Sequence, residues 1–103
     1  MYKVMKRDGQ VVDFNISKIS NAIQKAFNSV NRQYNMDIIE LLALKVTADY
    51  EKKIKNGVVT VEDIQDSVET VLINADYADV AKSYILYRKQ REKIRNMKST
   101  ILD

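Results

Sequence analysis

Proline is absent from this chain of 103 residues, and glycine occurs only twice, at Gly9 and Gly57. Proline breaks helices and glycine weakens them, so a backbone almost free of both favours long helices. Each glycine then marks a turn. Gly9 follows Asp8, and the Asp-Gly pair suits a tight turn that needs positive φ. On either side, Tyr2-Lys3-Val4-Met5-Lys6 and Gln10-Val11-Val12-Asp13-Phe14 read as the two strands of a hairpin. Tyr2, Val4, Val12 and Phe14 are spaced to face one side. A lone two-stranded hairpin is marginal in water, so helices must cover that side.

Four helical segments supply the cover. In the first, Ile19, Ile23, Ala26, Phe27 and Val30 recur at helical spacing behind Asn15 or Ser17, either of which suits an N-cap. That pattern fades at Asn31-Arg32-Gln33. The second starts after Asn35 or Met36 and is expected to run to about Lys55, with Asn56-Gly57 as its stop. Its apolar residues are Ile38, Leu41, Leu42, Val46 and Ala48. The third opens at Thr60 with Glu62 and Asp63 in its first turn, where the helix dipole favours acid. Val61, Ile64, Val68, Val71, Leu72 and Ala75 trace one of its faces. The break at Asn74-Ala75-Asp76-Tyr77 is short, so the fourth helix packs against the third, with Val80, Ala81, Tyr84, Ile85 and Tyr87 inward. The order predicts an α+β fold in which an N-terminal β-hairpin covers a four-helix bundle.

Composition narrows the chemistry. An apolar fraction of 46% and a charged fraction of 30% are ordinary for a globular domain. A chain of this size forms one core and leaves little room for a deep catalytic cleft. It contains no cysteine and no histidine. Disulfides, thiolate nucleophiles, imidazole bases and the usual zinc ligands are therefore excluded, and a reducing, cytoplasmic setting fits. No run of about eighteen apolar residues predicts a membrane span, and Met1-Tyr2-Lys3-Val4 lacks the apolar core of a signal peptide. The net charge of +3 is unevenly spread: residues 1–36 carry six basic and two acidic side chains, residues 37–79 four and ten, residues 80–103 seven and two. If the basic ends meet, they form a positive face suited to phosphates; the alternative is that they complement the acidic middle.

The hairpin turn carries the most specific signal. Lys6 and Arg7 immediately precede the turn, where cations and backbone N–H groups could converge on an anion. Further on, Asn15, Ser17 and Lys18 stand at a helix N-terminus, which also favours phosphate. Taken alone, Lys6-Arg7-Asp8-Gly9 is equally an ordinary solvated tip and Asn15 an ordinary cap. Tyr84 and Tyr87 could stack on a base, but at this spacing they read as core. Glu62, Asp63, Asp66 and Glu69 suit capping and a solvated face better than a metal site.

Three strings weight the first reading. Val4-Met5-Lys6-Arg7-Asp8-Gly9 with Phe14-Asn15, Lys18-Ile19 and Ala22-Ile23 resembles the opening of the ATP-cone family. Thr60 to Asp66 and Ala81 to Arg88 resemble its third- and fourth-helix signatures, in the same order and with similar spacing over residues 3–95. The resemblance implies an allosteric domain of ribonucleotide reductases that binds ATP or dATP, with Mg²⁺ carried by the triphosphate. By position, Lys6 and Arg7 would line the nucleotide at the hairpin. Val12, Asp13, Phe14, Asn15, Ile16, Ser17 and Lys18 would wrap base and ribose, with Lys18 reaching phosphate. Thr60 would lie close by, and Arg91 would contact phosphate from helix four, where Arg88 either assists or is a solvated charge. The cone would occupy residues 1–95, with 96–103 as the start of a linker to the catalytic domain of an oxygen-independent reductase, in cis or in trans; a free-standing cone is the alternative.

The functional expectation is therefore an effector-binding domain without turnover, which shifts the activity or self-association of its reductase. The competing reading is a nucleotide-responsive transcriptional regulator or nucleic-acid module using the basic fourth helix, whose binding would fall steeply with salt. An enzyme is disfavoured: no P-loop and no histidine or cysteine nucleophile system is present.

Overall fold

In a computed structural model that describes residues 2–102, with side chains through Ser99, strands β1 (Lys3–Met5) and β2 (Val11–Asp13) pair antiparallel, Val4 opposite Val12. Lys6 N–H donates to Gln10 O at 2.7 Å and Gly9 N–H to Lys6 O at 3.0 Å. Gly9 is at φ +89°, while Asp8 keeps negative φ and accepts from Gln10 N–H at 2.9 Å. The tip is thus a three-residue loop closed by a left-handed glycine rather than a two-residue turn. As expected, Val4 is buried and Tyr2, Val12 and Phe14 pack beside the core.

The sheet has a third strand that the sequence pattern did not reveal. β3 (Val58–Thr60) pairs parallel to β1, giving the order β2-β1-β3. It is entered through Asn56-Gly57, at φ 53° and 74°, and closed by reciprocal Lys55–Val58 backbone bonds of 2.9 and 3.0 Å. This is the two-residue hairpin turn with positive φ at both positions. Asn56-Gly57 therefore starts a strand; it does not stop the second helix, which ends earlier.

The four helices are α1 (Ile16–Ser29), α2 (Met36–Tyr50), α3 (Val61–Asn74) and α4 (Ala78–Leu102), with a 3₁₀ turn at Glu51–Lys53. They pack as a ring in which α1 and α3 each touch both α2 and α4. Asn15 caps α1 and Thr60 caps α3, Asn15 through Ser17 N–H and Thr60 Oγ1 through Asp63 N–H at 3.1 Å. α1 and α3 end without glycine. Asn31 (φ 54°) and Asp76 (φ 66°) take the left-handed position instead. The next N–H in each case, Arg32 to Phe27 O at 3.1 Å and Tyr77 to Leu72 O at 2.9 Å, closes the helix end.

The core is built from Ile23, Phe27, Ile39, Val46, Tyr50, Leu72 and Val80, all fully enclosed. Each such side chain contributes about 1.5–3 kcal/mol of burial. On α2 the inward stripe is Ile39, Leu42, Ala43, Val46 and Tyr50, whereas Leu41, Leu44 and Ala48 are exposed. The helix is apolar nearly all round, so periodicity alone offered rival faces. On α4, Val80, Ala81 and Tyr84 are buried as expected, but Tyr87 is 56% exposed. α4 passes position 95 without a break. Among the described residues no helix is long and apolar enough to cross a membrane.

Candidate functional site

A cleft of about 220 Å³ opens where the hairpin, the start of α1 and the first half of α3 converge. Val4, Val12, Phe14, Ile19, Val61 and Ile64 supply its apolar lining, and Lys6, Asp13, Asn15, Lys18 and Gln65 its polar groups. Local chemistry explains the placement. The strand ends at Asp13, and Asn15, in extended geometry, accepts Ser17 N–H at 3.0 Å and Ser17 Oγ at 2.6 Å, turning the chain into α1. Lys18 then falls in the first helical turn. That turn contains no acidic residue, so the dipole and the lysine present one positive sign.

The two lysines at the rim differ from their neighbours. Lys6 and Lys18 make no ion pair among the described residues. Lys3 instead holds Asp13 at 2.6 Å, and this hydrogen bond, with its charge, keeps the exposed Asp13 carboxyl below its ordinary range. On the floor, Tyr84 is 7% exposed, and burial pushes its phenol up to about 12. Behind Phe14, the rings of Tyr2 and Tyr50 lie 4.7 and 6.3 Å away, and their hydroxyls bond to each other, tying the cleft wall to α2. Burial and that bond raise the Tyr50 phenol well above its usual value.

The sequence of this chain matches a known domain. A family model for the ATP cone domain matches residues 2–93. The chain belongs to the ATP-cone family. It is 46% identical over 101 residues to a vitamin B12-dependent ribonucleoside-diphosphate reductase of Thermoplasma acidophilum, covering 93% of this chain and 13% of that protein. It is 38% identical over 98 residues to a ribonucleoside-diphosphate reductase subunit alpha of Chlamydia pneumoniae, covering 89% and 9%. An anaerobic ribonucleoside-triphosphate reductase of Haemophilus influenzae is 32% identical over 103 residues, covering 97% and 14%. The chain thus spans 9 to 14% of these relatives; the matched stretch is a regulatory cone, and most of each reductase lies outside it.

Of the residues singled out in the sequence, the cone brings Lys6, Val12, Asp13, Phe14, Asn15 and Lys18 to one cleft. Ile16 and Ser17 are exposed outside its lining, with Ser17 spent on the cap. Thr60 is the α3 cap, and its neighbour Val61 is the residue that faces the cleft. Arg91 is exposed and lies beyond the lining.

Arg7 is turned aside. Its Nε meets Glu62 Oε1 at 2.6 Å, and its Nη2 donates to Gln65 Oε1 at 2.5 Å. Arg88 is neither a free phosphate ligand nor a solvated charge. It reaches Asp66 at 2.8 Å, Glu69 at 2.5 Å and Glu62 at 3.4 Å. Burial alone would lower its pKa; the hydrogen bonds to Asp66 and Glu69 outweigh that and hold the guanidinium charged.

Gln65 was not foreseen as a site residue. It follows Val61 by four positions, so it shares a helix face with a cleft residue. That spacing was visible, but it did not show that the face reached a rim. A second groove of about 350 Å³ runs between α1 and α4, and Lys18, Ala22 and Tyr84 line both. Tyr87 lines this groove rather than the core. Among the described residues no three acidic, histidine or cysteine side chains are grouped to hold a metal.

Proposed function

We propose that this cone binds ATP or dATP in the cleft between hairpin, α1 and α3, and that the choice of effector shifts the activity or oligomeric state of an attached ribonucleotide reductase. The observation that carries the reading is the joint placement of Lys6 and Lys18, two cations without ion pairs among the described residues, at an apolar cleft beside a helix N-terminus without acid. Phosphate is favoured there by charge and by the dipole. A cleft of this volume is smaller than the usual range for drug-sized ligands, about 300–1,000 Å³. It suits a base and sugar among Val12, Phe14 and Ile64, with the phosphates over the lysines at the open rim. Mg²⁺ fits as a passenger on the triphosphate, since Asp13, the carboxylate of this cleft, is paired with Lys3. ATP and dATP differ by one hydroxyl, which Asn15, a residue of the lining, or nearby backbone would read.

Regulation then follows by linkage: two ligands sharing one pocket but stabilising different arrangements shift whatever equilibrium those arrangements govern. A cytoplasmic setting accords with such a role. Calorimetry tests the site. Lys18→Ala should weaken ATP binding by about 1–3 kcal/mol, the range for a lost charge-assisted bond. Unchanged affinity in that variant would remove Lys18, and with it the pocket assignment.

A further inference from the structure

Glu62 connects two cations from different elements. One carboxylate oxygen takes Arg7 of the hairpin tip at 2.6 Å, and the other stands 3.4 Å from Arg88 of α4. The two arginines depend on it unequally. Arg88 has two further carboxylates, Asp66 and Glu69, at 2.8 and 2.5 Å. Among the described residues Arg7 has Glu62 as its carboxylate partner, and its other hydrogen bond goes to Gln65, a residue of the cleft wall. The Arg7 guanidinium therefore sits one hydrogen bond from the cleft with its charge already committed.

We propose that Glu62 is a positioning residue that sets the affinity of the nucleotide site by competing with the triphosphate for Arg7. The inference rests on the nucleotide reading above. A carboxylate and a phosphate are alternative anionic acceptors for one guanidinium fork. Binding the nucleotide moves Arg7 from one to the other, and part of the binding free energy is spent breaking the Glu62 pair. Once released, Glu62 has Arg88 as its remaining cation, and the exchange reaches α4. Lys6 and Lys18 need no such release.

The test is ATP titration of the whole chain by calorimetry, with folding followed by circular dichroism. Glu62 is half exposed, its side chain 53% accessible, so Glu62→Gln keeps the shape and removes the charge. It should tighten ATP binding by about two- to fivefold, the range an exposed ion pair supplies. Arg7→Ala should weaken binding, and adding Glu62→Gln to Arg7→Ala should then change nothing. Glu69→Gln, which touches Arg88 and not Arg7, should leave affinity at the wild-type value. Glu62→Asp, keeping the charge on a shorter arm, should fall between wild type and Glu62→Gln, and serves if the latter folds poorly. Two results would overturn the competition: unchanged or weaker binding in Glu62→Gln, or a gain that persists without Arg7. Failure of the unaltered chain to bind ATP is a separate result, which overturns the nucleotide reading and this inference together.

Discussion

The N-termini of α1 and α3 are built alike and charged oppositely. Each follows a short strand, each is capped by a side-chain oxygen, Asn15 in one and Thr60 in the other, and each helix has 14 residues. The first turn of α1 carries Lys18 and no acid; that of α3 carries Glu62 and Asp63. A bare N-terminus with a lysine attracts anions, whereas carboxylates satisfy the dipole from within and attract cations. The structure shows the second half of this rule, since Arg7 and Arg88 converge on α3. On the nucleotide reading proposed above, the phosphates belong at α1, while α3 holds arginines.

Giving the start of α1 the charge of α3 has the largest expected effect. Lys18→Glu should lower ATP affinity about a hundredfold, by removing a charge-assisted contact and adding a like charge. Calorimetry at fixed ionic strength measures it.

The caps offer a finer test. Thr60→Ala and Asn15→Ala should each cost about 1 kcal/mol of stability in denaturant titrations. Only Asn15→Ala should also weaken ATP binding, because Thr60 lies outside the cleft lining and Asn15 within it. Equal effects on affinity would erase the distinction between the two helix starts.

Tyr84 lines the cleft together with Lys18 of α1 and Val61 of α3, and the charges of Arg88, Glu69, Arg7 and Asp66 act on it. Its pKa rises from 10.0 to about 12, chiefly through burial, so folding favours the neutral phenol. That contribution is complete below pH 10 and is lost as pH climbs through about 12. Tyr84→Phe should therefore flatten the alkaline decline in stability, leaving the share due to Tyr50; urea midpoints measured across that range decide it. The smallest effect is expected at Arg91, exposed beyond the lining. Arg91→Ala should reduce ATP affinity by less than about threefold, since an exposed cation contributes under about 1 kcal/mol. A loss matching Lys18→Ala would mean that the phosphates run along α4.

Several elements were legible beforehand because their signals are local. The hairpin, the caps Asn15 and Thr60, and the buried stripes of α1 and α3 follow from turn chemistry and a 3.6-residue period. β3 escaped because its three residues are too short to show alternation, and Thr60 both ends it and caps α3. Asn56-Gly57 suits a helix stop, but Asn-Gly is also the strongest hairpin signal; the parallel partner strand β1 lies more than fifty positions earlier. α2 misled because apolar residues surround it, and only its neighbours choose the inward face.

The site divides along the same line. The chemistry on offer is written in the amino-acid sequence: lysines flanking a turn and a cap, acids in the first turn of α3, and no histidine or cysteine. These are properties of residue type and near spacing. Which charges remain available depends on how the elements pack. Arg7 and Lys6 are neighbours in the chain, yet Arg7 is drawn to Glu62 and Gln65 of α3 while Lys6 stays at the cleft. That choice depends on where α3 lands beside the hairpin tip, a contact between residues 55 or more apart, and no local pattern encodes it.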